Sequence, residues 1–270
     1  MSIFEIKEKD LLGRIGSLKT KHGTIETPAI APVIHPIKNI IDPLTIVEKI
    51  GFNLVMTNSY IIWRRYGEVA VEIGLHNMLG IDKPIMTDSG AYQLMTYGKV
   101  EVSPKEILEY QVNLGSDIGV ILDIPTRYQS PYDEVKREVD ETIRRAKEAI
   151  TLDREDMLLV GPVQGGKYTN LVAYSARQIS TLDFDIYAIG GPTQIMENYL
   201  YDELVTLVMT AKMNLPICKP IHLFGAGNPI MIPLAVAMGM DLFDSASYIL
   251  YAQKKRYMTP NKIYNFKNLK

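Results

Sequence analysis

Short apolar runs recur along the chain, and most of them end in a polar residue, a glycine or a proline. They centre near residues 30, 54, 86, 120, 160, 187, 222 and 243. The clearest are FNLVM (52–56), IGVIL (118–122), MLLVGPV (157–163) and the run from Phe184 to Ile189. Such runs are short for helices and lack strict alternation, the pattern of strands covered on both faces. Helix-period stretches separate most of them. Val135, Val139, Ile143, Ala146 and Ile150 form one apolar stripe after Ser130-Pro131, with a charged opposite face. Ser103, Pro104 and Glu106 spell a capping box with proline at the first helical position. Asp42-Pro43 opens a helix that Gly51 stops, and Asn228-Pro229 caps another rich in Ala, Leu and Met. Helices are also expected over Tyr174 to Ile179 and Leu204 to Met213, with short ones over 60–80 limited by Gly67, Gly74 and Gly80. Residues 1–24 read as short strands with a reversal at His22-Gly23.

Eight strands with mostly helical crossovers predict an α/β fold, a (β/α)8 TIM barrel, over residues 1–270 as one domain. A doubly wound open sheet is the alternative. No glycine-rich dinucleotide or phosphate fingerprint follows the first strand in its support.

Composition narrows the picture modestly. The chain has 270 residues, of which 47% are hydrophobic, enough for one large core. No apolar run reaches the length of a membrane span. The start, MSIFEIKEKD, carries early acids and no apolar leader, so no signal peptide is expected. A single cysteine, Cys218, leaves no internal disulfide and no cysteine-rich metal site, and a cytoplasmic location is expected. The net charge of -2 hides an asymmetry. Residues 254–270 carry Lys254, Lys255, Arg256, Lys262, Lys267 and Lys270 with no acid, so the rest is acidic. A basic end on an acidic body suits contact with a polyanion, although a solvated tail has the same composition.

The candidate chemistry sits at the strand ends: Asp88, Ser89, Asp123, Gln164, Gly190, Gly191 and Asp244. In a barrel these ends converge on one mouth. Any one of the acids reads equally well as a cap or an Asx turn. Three together are costly unless used or compensated. No serine or cysteine has a suitably placed histidine, and His22, His35, His76 and His222 show no zinc spacing. His222 lies inside a strand and reads as a core group or one acting behind the site. Two carboxylates across a narrow pocket can displace a group at an acetal-like carbon, one as nucleophile and one as acid or base. A third can read an N–H pair on a heterocycle, with Gln164 on another edge. Backbone N–H groups near Gly190 and Gly191 can hold a carbonyl, and Tyr92 can stack or simply pack.

These residues carry a resemblance. TPAIAPVIHP (27–36), MTDSGAYQL (86–94), LDIPT (122–126), VQG (163–165), HLFGAGNP (222–229) and MGMDLFDSASY (238–248) occur in this order over nearly the whole chain. Together they resemble the catalytic module of the tRNA-guanine transglycosylases, most closely the archaeal type. The resemblance implies a (β/α)8 barrel that cuts the glycosidic bond of a guanosine in tRNA and inserts a 7-deazaguanine base. In archaeal members this is 7-cyano-7-deazaguanine at position 15 of the D-loop. It implies Asp244 as the nucleophile on the ribose C1′ and Asp88 as the general acid/base. It also implies base recognition by Ser89, Asp123, Gln164, Gly190 and Gly191, with Tyr92 and Phe224 as aromatic lining. No redox or nucleotide cofactor is implied.

Two departures stand out. The family's structural zinc site uses three cysteines and a histidine beyond the barrel, followed in archaeal members by domains ending in a PUA module. This chain has only Cys218, so no zinc is expected in it. A second polypeptide carrying those parts, or a homodimer, is the expected partner, with tRNA and a guanine-type base as ligands. Lys254, Lys255 and Arg256 would meet tRNA or that partner. The second departure is Pro192, which lacks a backbone N–H where relatives use one near the 7-substituent. A paralogue acting on DNA or at another 7-deazaguanine step, and a non-catalytic RNA-binding subunit, are the competing readings.

Overall fold

The computed structural model describes residues 3–91, 93 and 101–266. Eight parallel strands form the central sheet: β4 (Ala29–Pro32), β5 (Val55–Asn58), β6 (Ile85–Asp88), β7 (Ile118–Val120), β8 (Leu158–Val163), β9 (Ile186–Ile189), β10 (Ile221–Leu223) and β11 (Leu242–Ser245). They lie in the order β4-β11-β10-β9-β8-β7-β6-β5. The ends meet where Val33 bridges Met56 and the Ile34 N–H donates to the Met56 carbonyl at 2.7 Å. Consecutive strands are neighbours, all run the same way, and helices intervene. This is a (β/α)8 barrel, not an open sheet.

Alternation along each strand sorts its side chains. Ala31, Met56, Met86, Ile118, Val120, Leu158, Val160, Ile186, Ala188 and Leu242 fill the barrel interior. Leu159, Val163, Tyr187, Ile189, Ile221, Leu223 and Phe243 point out to the helical layer. There they meet the long helix Tyr132–Ala149 through Val135, Val139, Ile143 and Ala146, the expected stripe. Full burial of each such aliphatic contributes about 1.5–3 kcal/mol.

The capping box forms as expected: Ser103 accepts from the Glu106 N–H at 3.2 Å, and Glu106 accepts from the Ser103 N–H at 2.9 Å, opening the helix Pro104–Asn113. Two expected helix starts differ. The turn after Asp42-Pro43 closes as a π-helix, Thr45–Lys49, with the Ile50 N–H reaching back to the Thr45 carbonyl at 3.1 Å. Asn228 caps a turn, accepting from the Ile230 N–H, and the helix begins later at Ile232.

Below the barrel, β1 (Phe4–Asp10), β2 (Gly13–Thr20) and β3 (Gly23–Thr27) form an antiparallel sheet. Phe4, Leu18 and Ile25 close the interior from beneath. At the other extreme of the sequence, the basic segment is more ordered than a tail. β12 (Arg256–Met258) pairs with β13 (Ile263–Asn265), with Arg256 over Tyr251 and Lys262 over Tyr264.

The floor of the barrel repeats one device. An aspartate just before a strand accepts an N–H from the start of the preceding strand, its first or second residue. Asp117 takes Ile85 at 2.9 Å, Asp185 takes Leu159 at 2.9 Å and Asp241 takes Ile221 at 2.7 Å. Each also meets a basic side chain: His22 and His76 at Asp117, Arg154 at Asp185, and Arg14 in a two-pronged pair at Asp241. Burial pushes the Asp117 carboxyl up, but hydrogen bonds from His76, the Ile85 N–H and His22 outweigh it and hold it below its ordinary value.

Candidate active site

The interior face of the strands continues upward into the site. Counting two residues on from the last apolar layer gives Asp88 after Met86, Gly190 after Ala188, Phe224 after His222 and Asp244 after Leu242. Gln164 keeps the same parity on β8, four residues after Val160. Asp123 does not. The chain kinks after β7, where the Asp123 N–H turns back to the Ile121 carbonyl at 3.0 Å.

Asp88 and Asp244 therefore stand at the same end of the barrel, on β6 and β11. Burial raises the Asp88 carboxyl to about 7, with further upward pushes from the charges of Asp123 and Asp244. The N–H groups of Gly90 and Ser89 pull it down, less strongly. Its Oδ2 accepts from Asn58 Nδ2 at 2.7 Å, and the same nitrogen reaches Gln93 Oε1 at 3.0 Å. Asn58 also caps the helix Ser59–Tyr66 through the Ile61 N–H at 2.8 Å, so its position is rigidly set. Gly90 makes the turn possible: its φ of +97° suits glycine, and a Cβ there would lie 2.7 Å from Tyr60.

Asp123 is buried, and burial raises it to about 6. Gln164 Nε2 at 2.6 Å and the positive charge of Arg145 oppose the shift. Gln164 is itself held: its Oε1 accepts from the Thr126 N–H at 3.1 Å and the Thr126 hydroxyl at 3.0 Å. That occupies both acceptor positions of the amide, leaving one N–H of Nε2 for a ligand. Gly190 packs directly on this amide, where a Cβ would come within 2.1 Å of Gln164 Nε2. Ser89 is fully buried and its hydroxyl donates to the Ile121 carbonyl at 2.9 Å.

Asp244 is partly buried. Its Oδ1 accepts from the Gly225 N–H at 2.9 Å and lies 2.9 Å from His222 Nε2. Phe224 tilts against the His222 ring, 4.8 Å between centroids.

The expected site residues are thus placed as follows. Asp88, Asp123 and Asp244 are electrostatically linked through Asp88, and Gln164 and Gly190 pack beside Asp123. Tyr92 lies outside the described residues. The expected pair of backbone donors at Gly190 and Gly191 is corrected: the Gly190 N–H donates to the Val163 carbonyl at 2.9 Å within the barrel wall. Pro192, which starts the short helix Thr193–Glu197, has no N–H, so Gly191 is the one free donor among these three residues. Lys254, Lys255 and Arg256 are exposed at the C-terminal hairpin. Asn58, Thr126 and Arg145 were not expected in the site. Asn58 carried a signal, as the last residue of a strand. Thr126 sits within LDIPT but shows its role only through contacts with residues 164–166.

A cleft of about 380 Å³ is lined by Ile37, Tyr60, Ile61, Arg64, Arg65 and Gln93, the last of which shares the Asn58 amide with Asp88. Chemically, a carboxyl raised to about 7 can carry a proton, and a carboxylate held by one oxygen keeps the other available. Between them stands a rigid acceptor and donor edge.

Eight parallel strands with carboxylates gathered at their carboxyl ends place the chain among the barrel proteins that carry their site at that mouth. Comparison with known proteins makes this specific. Residues 9–270 match the model of the queuine tRNA-ribosyltransferase family, and the chain belongs to that family. A tRNA-guanine(15) transglycosylase of Pyrobaculum aerophilum is 50% identical over 269 residues, covering 99% of this chain and 54% of that protein. Its counterpart in Aeropyrum pernix is 49% identical, covering 99% and 52%. That of Pyrococcus abyssi is 47% identical over 259 residues, covering 95% and 44%. The chain spans about half the length of these relatives. No helix among the described residues is long and apolar enough to cross a membrane.

Proposed function

We propose that this barrel carries the base-exchange chemistry of a tRNA-guanine transglycosylase, acting on a guanine at position 15 of tRNA. The observation that carries this reading is Asp88. Its carboxyl is raised to about 7 by burial and by the negative charges of Asp123 and Asp244, so near neutral pH it both gives and takes a proton.

In the first half-reaction Asp244 attacks the ribose C1′ and a C1′–O bond forms. The C1′–N9 bond breaks with its electron pair on guanine, and protonated Asp88 supplies the proton to the departing base. In the second, an incoming base loses a proton to Asp88 and its ring nitrogen attacks C1′. The electron pair of the C1′–O bond returns to Asp244. Protons and charge balance without any further reagent, so the exchange calls for no redox or nucleotide cofactor. Asp123 fits the adjacent N–H groups of a guanine-type edge, with the Gln164 amide and the Gly191 N–H facing acceptors on that ring. Ser89 and Phe224 complete the walls. A 7-deazaguanine carries the same edge, and 7-cyano-7-deazaguanine is the proposed incoming base. With Pro192 lacking a donor, its 7-substituent would be held through Gly191.

The cleft with Arg64 and Arg65 suits the phosphates beside the reacting nucleotide. Lys254, Lys255 and Arg256 suit more distant ones. The relatives are about twice as long, and further tRNA contacts are expected from polypeptide outside this barrel, with zinc and PUA parts on the same chain or on a partner chain, or from a second copy. The zinc set does not fit these residues: the chain has one cysteine, Cys218, and it is exposed. Incubating the chain with labelled guanine and unmodified tRNA, with and without the C-terminal half of a relative, tests the reading. Incorporation that Asp88→Asn and Asp244→Asn each lower by at least about 1000-fold is expected. No incorporation in either condition would overturn it.

A further inference from the structure

His222 is fully buried in the middle of β10, between Ala188 of β9 and Leu242 of β11 in register. Its neighbours Ile221 and Leu223 face the helical layer, so the imidazole enters the barrel interior, a place otherwise filled by apolar side chains. A buried ring there needs partners for its nitrogens. Nε2 has one, Asp244 Oδ1 at 2.9 Å, while Nδ1 is buried with no hydrogen-bond partner among the described residues. A neutral imidazole carries one hydrogen. Only the tautomer with that hydrogen on Nε2 makes the bond, because the carboxylate can only accept. Protonating Nδ1 as well would bury an N–H with nothing to receive it.

The second donor to Asp244, the Gly225 N–H, falls on the same oxygen. Two donors on Oδ1 fix the carboxylate plane and leave Oδ2 without a donor among the described residues. We propose that His222 is a positioning residue for Asp244: as a neutral Nε2–H donor it clamps Oδ1 and presents Oδ2 to the reacting carbon. The inference rests on the proposed base exchange. When Oδ2 forms its bond to C1′ and loses its charge, Oδ1 becomes the carbonyl oxygen of the ester and keeps both N–H bonds. The same clamp therefore serves the return step, in which the electron pair goes back to the carboxylate. A buried histidine packed only to fill space would show no preference between an amide and an aromatic replacement. A clamp prefers the amide, whose N–H can reach Oδ1.

The test compares the wild-type chain with His222→Phe, which keeps ring volume against Phe224 but donates nothing, and His222→Gln, which keeps a donor. Unmodified tRNA and labelled guanine are the probes. Single-turnover formation of the denaturant-resistant protein–tRNA adduct is read beside the KM for guanine and the melting temperature. His222→Phe should slow adduct formation by about 10- to 100-fold, the worth of a charge-assisted hydrogen bond. Its KM for guanine should stay within about threefold, on the logic that separates transition-state from ground-state losses. His222→Gln should recover at least about tenfold of the lost rate. Adduct formation by His222→Phe at the wild-type rate would overturn the clamp while leaving the base-exchange reading intact. Equal losses in both variants that track a lowered melting temperature would reduce His222 to a packing role, and overturn it too. If the folded wild-type chain forms no adduct either alone or with the C-terminal half of a relative, both the clamp and the proposed function fall.

Discussion

The two ends of the barrel use the same residue type in opposite ways. At the floor, Asp117, Asp185 and Asp241 each accept an N–H from the start of a neighbouring strand and meet a basic side chain. At the mouth, Asp88 has an amide and two backbone N–H groups, Asp123 has an amide, and their neighbours include one another. Buried carboxylates are stable as anions only when donors and cations surround them. The floor supplies donors to all three and a guanidinium to Asp185 and Asp241. The mouth withholds cations from Asp88, and its carboxyl rises to about 7. A carboxylate that helps hold a fold together and one available for proton transfer thus differ in what faces them.

The sharpest break of this contrast is at Asp241. Asp241→Ala strands the Arg14 guanidinium, whose side chain is 3% exposed, and should cost about 3–5 kcal/mol in urea unfolding. Asp244→Asn, at the mouth end of the same strand, should leave stability within about 1 kcal/mol. Equal losses in the two would erase the distinction between the ends.

Next comes pH. A group bound more tightly to its proton in the folded state loses stability for the fold as pH rises. For Asp88 the loss begins above the ordinary carboxylate range near 4 and is complete above about 7. It should amount to about 2–4 kcal/mol and vanish in Asp88→Asn. Asp117 has the opposite sign: its contribution is present above the ordinary range and disappears as pH falls through its lowered value. Urea midpoints measured from pH 3 to 8 for the two proteins check both limbs. A wild-type curve that rises monotonically would contradict the mouth's share.

Much of this was legible beforehand. Eight apolar runs ending in polar residues, the capping box at Ser103 and the stripe from Val135 to Ala146 all appear where periodicity puts them. Strand parity carries Asp88, Gly190 and Asp244 to the mouth without coordinates. What stayed hidden depends on distance in sequence or on occupied atoms. Arg14 meets Asp241 across 227 positions, and no local pattern announces that. The floor aspartates sit before strands, where a lone acid looks like any turn residue. In the sequence the Gly190 N–H reads as a free donor, because its bond to the Val163 carbonyl is a matter of register. The C-terminal hairpin was hidden by its charge, since a run of lysines around Thr259-Pro260-Asn261 reads equally as solvated tail.

A smaller effect probes the mouth's rigid edge. Gly190→Ala forces a Cβ against Gln164 Nε2 and should cost about 1–3 kcal/mol through overpacking. By moving the amide off Asp123 it should also weaken guanine binding about tenfold, roughly one hydrogen bond to a charged group. Isothermal titration with guanine measures that directly. The smallest effect is expected at the exposed hairpin. Replacing Lys254, Lys255 and Arg256 with alanine should change stability by less than about 0.5 kcal/mol per site. The salt dependence of tRNA binding should flatten by roughly 0.7–0.9 per lost phosphate contact. An unchanged slope would assign these charges to solvation.

The most direct test is the protonation of Asp88 itself. Carbon-13 NMR of aspartate-labelled protein, assigned through Asp88→Asn and Asp117→Asn, follows each carboxyl through a titration. Asp88 should titrate near 7, while Asp117 stays ionised to below the ordinary aspartate range. An Asp88 midpoint near 4, alongside the exposed carboxylates, would contradict the account.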